Sequence, residues 1–135
     1  MSAWFYIKLY LLTVPIFFAI DLLWLGVVAK DLYQKNLAHL LSPDVNWPAA
    51  FLFYFMYIAG IILFAVKPAI DSGSLAKAVV WGALFGFFTY ATYDLTNLAT
   101  LEGFPVRMVL VDMLWGMVLC SAISSITFLA STRIG

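Results

Sequence analysis

The chain has 135 residues, of which 65% are hydrophobic and 10% charged. So little polar surface cannot coat a domain in water, which excludes a soluble fold. Seven Lys or Arg balance seven Asp or Glu, leaving no long-range field to attract nucleic acid or an acidic substrate, and the length supports a single domain over residues 1–135.

A helix that crosses a bilayer needs about 20 predominantly apolar residues, and four stretches meet that requirement. The first runs from about Trp4 to Ala29, with Pro15 as an expected kink and Lys30-Asp31 as its end. The second begins after Ser42-Pro43-Asp44-Val45-Asn46, with Asn46 as cap and Pro48 in the first turn, spans 47–66, and is expected to stop at Lys67-Pro68. Asp71-Ser72-Gly73-Ser74 forms a turn, and the third span follows over 76–100. Glu102-Gly103-Phe104-Pro105 breaks the chain again before the fourth span, 106–130. The expected fold is an all-α integral membrane protein, a four-helix transmembrane bundle.

Two stretches allow a second reading. Val27-Val28-Ala29 has small residues where a signal peptidase cuts, but the apolar run before it is long for a signal core and carries Asp21, which favours a mature span. Between the first two spans, Tyr33, Leu37, Leu40 and Leu41 share one helical face, which fits either a short interfacial helix or an ordinary loop. For orientation, Lys8, Lys67, Lys77 and Arg133 fall on one side against Lys30, Lys35 and Arg107 on the other. This excess of one favours both termini in the cytoplasm.

The informative residues are the carboxylates inside the spans: Asp21, Asp94 and Asp112. Each costs about 2.5 to 3.5 kcal/mol at the centre of a bilayer on insertion scales, so all three are expected to face inward. Asp21 lies near the end of the first span, Asp94 near the end of the third and Asp112 near the start of the fourth. Those three ends share one membrane side, which puts the carboxylates roughly 8 to 13 Å from the nearest loop, in one leaflet.

Tyr90, Asp94 and Asn97 fall on one stripe of the third span, and Tyr54 and Tyr57 come in from the second. A polar pocket is the natural inference. Like charges so close cannot all stay ionised, so either a shared proton or a cation belongs among them, with Arg107 the nearest basic side chain by topology. Two readings of the layer stand side by side: polar glue between helices, or a site for a cation, a proton or a polar substrate head.

Asp21-Leu22-Leu23-Trp24 and Asp112-Met113-Leu114-Trp115 are alike, each placing Asp and Trp three apart on one face. This is the pattern of an inverted repeat, a transporter device, or a coincidence in a leucine-rich chain. Trp24 and Trp115 are expected to pack inside, whereas Trp4, Trp47 and Trp81 suit the membrane interfaces. Gly82 and Gly86 permit close helix approach, either within the bundle or across a homodimer. There is no glycine-rich phosphate loop, nucleophile elbow or His-Glu-x-x-His, and Cys120 and His39 each stand alone. No cofactor is therefore expected, and an enzyme is disfavoured.

The segments Ala19 to Gly26, Asn46 to Ala50, Tyr90 to Thr100 and Val111 to Gly116 together carry a family resemblance, most specifically in Tyr93-Asp94-Leu95-Thr96-Asn97-Leu98-Ala99-Thr100. The chain resembles the predicted bacterial membrane proteins grouped as domain of unknown function 2177. The resemblance implies a bacterial inner-membrane location, four spans, and special status for the aspartates and Asn97. It names no substrate. Three functions fit these observations: a small transporter or binding protein using Asp21, Tyr54, Tyr90, Asp94, Asn97 and Asp112, with Trp24, Trp115 and Arg107 in support; a lipid-handling enzyme or accessory subunit with an aspartic acid as general acid; or a scaffold of a membrane complex. Expected partners are membrane lipids, a second copy of the chain, and a small cation, proton or polar substrate.

Overall fold

A computed structural model describes residues 2–135. Helix α1 (Ala3–Leu23) starts at Ser2, whose hydroxyl accepts the Phe5 amide, and continues through one wide π turn, Trp24–Val28. The chain then turns into the short α2 (Lys30–Leu37). Helix α3 (Trp47–Ile61) is capped by Asn46, with Pro48 in its first turn, and a second π turn, Ile62–Val66, joins it to α4 (Lys67–Ser72). Helix α5 (Leu75–Thr100) begins at the Ser74 cap, and α6 (Val106–Ile134) follows Pro105. Among the described residues four stretches are long and apolar enough to cross a membrane: Ala3–Val28, Trp47–Ser72, Leu75–Thr100 and Val106–Ile134.

The second span departs from the sequence expectation. Helical backbone does not stop at Lys67-Pro68 but runs on to Ser72. Pro68 lacks the N–H that would bond the carbonyl four residues back, and its ring crowds that group. The wide turn at Ile62–Val66 lies just ahead and gives the backbone room for it. The stop is set by Gly73 at φ +64°, where the amides of Gly73 and Ser74 bond the carbonyls of Ile70 and Ala69 at 3.1 and 3.0 Å. The stretch after the first span is helical, as α2.

The surface is apolar and the interior partly polar, the reverse of a soluble domain. Trp4, Leu11, Leu22, Phe64, Phe88, Leu110 and Leu114 are exposed, while Thr13, Asp21, Asp94, Asp112, Ser124, Thr127 and Ser131 are buried. Lipid supplies no hydrophobic drive for helix association, so close packing and interhelical hydrogen bonds must supply it. On α1 the buried residues are Phe5, Leu9, Thr13, Phe17 and Asp21, one every fourth position. This stripe meets α6 antiparallel: the hydroxyls of Thr13 and Thr127 lie 3.1 Å apart, and Lys8 Nζ donates to the Ile134 carbonyl at 3.0 Å.

The pairing of α5 with α6 is the closest in the molecule. Ala78, Gly82, Gly86 and Asp94 are the buried positions of α5. A methyl added to Gly86 would come within 2.0 Å of the Gly116 carbonyl oxygen, and one on Gly82 within 2.6 Å of the Cys120 oxygen. The two glycines thus serve a contact inside the chain. Both chain ends lie at one end of the bundle, and at the other His39 Nε2 lies 3.2 Å from the Gly103 carbonyl oxygen, tying the first and third connections together.

Candidate functional site

The stripes that build the bundle also set the carboxylates. Asp21 completes the every-fourth-residue row of α1, and Asp94 continues the row that begins with Ala78 on α5, so both turn inward with their helices. Asp21, Asp94 and Asp112 are 6%, 1% and 7% exposed. Asp21 is seven residues from Val28, Asp94 six from Thr100, and Asp112 six from Val106. At 1.5 Å per residue all three lie about 9 to 11 Å in from the helix ends. Burial at a common depth makes them one layer.

The two Asp-x-x-Trp segments meet across the bundle. Trp24 and Trp115 stack face to face with ring centroids 4.2 Å apart and planes 6° from parallel. Trp115 Nε1 reaches back to Asp21 Oδ1 at 3.4 Å. In the other direction Trp24 Nε1 donates to the Tyr33 hydroxyl at 3.0 Å, and that hydroxyl donates to Asp112 Oδ1. Each tryptophan therefore serves the other segment's aspartate, one directly and one through Tyr33. Burial and the neighbouring Asp112 carboxylate both push the Tyr33 phenol well above its ordinary value, so it stays a donor.

Asp94 has no such support. The α5–α6 register brings it against Asp112, and its Oδ2 atom is buried without a hydrogen-bond partner. An unpaired buried carboxylate oxygen beside a second carboxylate is costly, because no donor among the described residues offsets its desolvation. The pair is chemically complete only with a proton or a positive group between or beside its members. Among the described residues the one salt bridge is Lys67–Asp71, which is exposed and remote from this layer.

Asp112 also opens onto space. A cavity of about 400 Å³ is lined by Phe53 and Tyr57 from α3, Thr89, Tyr90, Thr92 and Tyr93 from α5, and Asp112 from α6. Phe53, Thr92 and Tyr93 are exposed on the outer surface, so this is a groove in the side of the bundle. Towards the cavity's inner end the Tyr57 hydroxyl lies 2.7 Å from Thr89 Oγ1 and 3.0 Å from Cys120 Sγ. Those contacts occupy the polar atoms there and leave Asp112 as the one charged group on the wall.

The residues singled out from the sequence divide into three groups. Asp21, Asp94, Asp112, Trp24 and Trp115 come together as described, and Tyr90 is packed over Gly116 while lining the groove. Asn97 lies beside Tyr93, next to the layer. Tyr54 is half-buried among the rings of Phe17, Phe18 and Phe53 and does not line the groove, and Arg107 is exposed and makes no ion pair among the described residues. Five participants escaped sequence reasoning: Tyr33 and the groove residues Phe53, Thr89, Thr92 and Tyr93. Tyr33 shares a helical face with Leu37, Leu40 and Leu41, a spacing that does not reveal what the face meets, and Tyr93 lies one position off the Asp94 stripe, where helical spacing gives no hint of a groove.

Fold and site together define a four-span helical membrane protein with a buried acidic layer near one membrane surface. The chain belongs to the family described as predicted membrane protein DUF2177, whose model matches residues 6–129. Comparison with curated proteins and with solved structures gives no match.

Proposed function

We propose that this is a small transporter or binding protein of the bacterial inner membrane, which holds a cation, a proton or the polar head of a substrate at the Asp94–Asp112 pair. One observation carries the reading: two carboxylates adjoin in a buried layer, one of them with an unpartnered oxygen, and among the described residues no basic side chain answers them. Polar glue does not need this arrangement. Asp21 and Asp112 already have donors in Trp115 and Tyr33, whereas Asp94 adds a carboxyl group that no donor or cation among the described residues offsets. Intramembrane carboxylates of this kind mark ion and proton paths more often than structural joints. The slight excess of Lys and Arg at the end that holds both termini supports a cytoplasmic location for them.

The test is thermal denaturation of purified protein over a range of pH and of monovalent and divalent cations, with the wild type and Asp94→Asn side by side. A ligand that binds the folded state raises the midpoint by mass action. The reading expects stabilisation by protons or by a cation in the wild type and its loss in the variant. Two results would overturn it: responses that survive unchanged in Asp94→Asn, or a variant that is less stable under every condition with no ligand effect in either protein. A lipid response that survives in the variant would move the assignment to a lipid-handling role.

A further inference from the structure

We infer that the ligand of this site is an amphipathic organic cation, with an ammonium-type head on an apolar body, and that it reaches Asp112 sideways from the bilayer through the groove between α3 and α5. The inference rests on the acidic-site reading above and deepens it by naming the chemistry of the ligand.

The shape of the groove comes from the helix packing. Helix α5 packs against the second π turn and α4, but near the acidic layer it stands apart from α3. The gap is walled by aromatic rings in series: Phe53 lies over Tyr57 at 5.3 Å between centroids with planes 26° apart, and Tyr57 meets Tyr90 edge to face at 6.3 Å. Its volume of about 400 Å³ is of the size that takes a small organic molecule and far exceeds the needs of a bare ion.

Its polarity runs the right way for an amphiphile. Asp112 lies six residues inside the start of α6, about 9 Å deep, whereas Thr89 lies eleven residues from the end of α5, about 16 Å deep and near the midplane. A molecule with its head at Asp112 would point its body towards the bilayer centre, the orientation that lipids themselves take in that leaflet.

The head must be positive and soft. Aromatic faces attract an alkylammonium group through the ring quadrupole, an interaction that gains when water is excluded. Asp112 on the groove wall supplies the countercharge, and Asp94, buried against it, adds to the negative potential that the head would meet. A divalent metal fits less well, since it takes several oxygen ligands and no three acidic, His or Cys side chains converge among the described residues. An anionic or neutral amphiphile would leave the carboxylate pair unanswered.

The experiment is calorimetric titration of the protein in alkyl maltoside micelles with decyltrimethylammonium, tetramethylammonium, sodium and calcium, on wild type, Asp112→Asn and Tyr93→Ala. Tyr93 is an exposed lining residue outside the packed core, so its variant tests the groove even where Asp112→Asn fails to fold. Expected is saturable binding of decyltrimethylammonium at least about tenfold tighter than tetramethylammonium, abolished in Asp112→Asn and weakened about tenfold in Tyr93→Ala. Binding of sodium or calcium with no preference for the organic cation would overturn this inference and leave the acidic site standing. Decyltrimethylammonium heats that match in all three proteins would overturn it as well, as mere micelle partition. No saturable binding of any of the four cations would overturn this inference, and the proton form of the acidic-site reading would then stand or fall on the pH response of wild type against Asp94→Asn.

Discussion

The two ends of the bundle are built on opposite principles. Towards the chain termini the helices touch through small residues and hydroxyls: Gly82 and Gly86 against Cys120 and Gly116, Thr13 against Thr127. Towards the first and third connections the same helices carry Asp21, Asp94, Asp112 and the large rings of Trp24, Trp115 and Tyr90, and a groove opens there. Among the described residues Ser124 is the one buried hydroxyl of the first half without a partner, a minor lapse in a half that is otherwise closed. The contrast teaches how a chain of this size divides its work: close packing in one half fixes the helices, so the other half can hold charge and open space without losing the fold.

The sharpest way to break the contrast is to enlarge the contact. Gly86→Leu drives a side chain into the α6 backbone and is expected to cost about 3 kcal/mol, with loss of the monodisperse species on size exclusion and an early transition in denaturant. Gly26→Ala, which meets nothing within 4 Å, is expected to change stability by less than about 0.5 kcal/mol. Equal effects of the two would deny the closed half its role.

Next comes Trp115→Leu, which removes both the ring stack and the donor to Asp21. The expected loss is about 2 kcal/mol, read by the same denaturant titration, with Trp115→Phe falling between it and the wild type. Asp94→Asn sharpens the contrast from the other side. Its Oδ2 has no partner to lose, so stability is expected to move by no more than about 1 kcal/mol while the ligand response disappears. Thr13→Val removes one hydroxyl contact between α1 and α6 and should cost about 0.6 kcal/mol, the usual scale of such bonds between membrane helices.

The smallest effect shows only in alkali. Tyr33 holds its proton above the ordinary phenol value of 10.0 in the folded protein and loses it near that value when unfolded. Between those limits the folded state binds more protons, so stability falls as pH rises past 10. Tyr33→Phe should flatten that decline, measured as the thermal midpoint against pH.

How much of this was written in the sequence depends on the physical rule each feature obeys. Spans follow from apolar length, a local property, so all four and the cap at Asn46 were legible. The acidic layer was legible too, because depth follows from counting residues along antiparallel spans. The run through Lys67-Pro68 was not, since a π turn can take up a proline that would otherwise end a helix and Gly73 supplies the actual stop. The groove was hidden for a different reason. It exists because α3 and α5 stand apart beside Tyr93, and spacing along one helix says nothing about the distance to the next. Tyr33 belongs to the same class: its face was readable, but its engagement with Asp112 is a tertiary fact.

The most direct test of the central claim, that the Asp94–Asp112 pair shares a proton or a cation, is labelling with a hydrophobic carbodiimide, which modifies carboxyl groups that hold a proton in an apolar setting. Intact mass and peptide mapping would follow the reaction with and without decyltrimethylammonium. The account predicts one adduct per chain, on Asp94 or Asp112, suppressed by the cation and strongly reduced in the Asp→Asn variant of either residue, because a lone carboxylate no longer has a like charge beside it. Labelling at Asp21 instead, or of Asp94 and Asp112 together on one chain, would contradict it, whereas labelling of the pair unchanged by decyltrimethylammonium would contradict only the organic-cation inference.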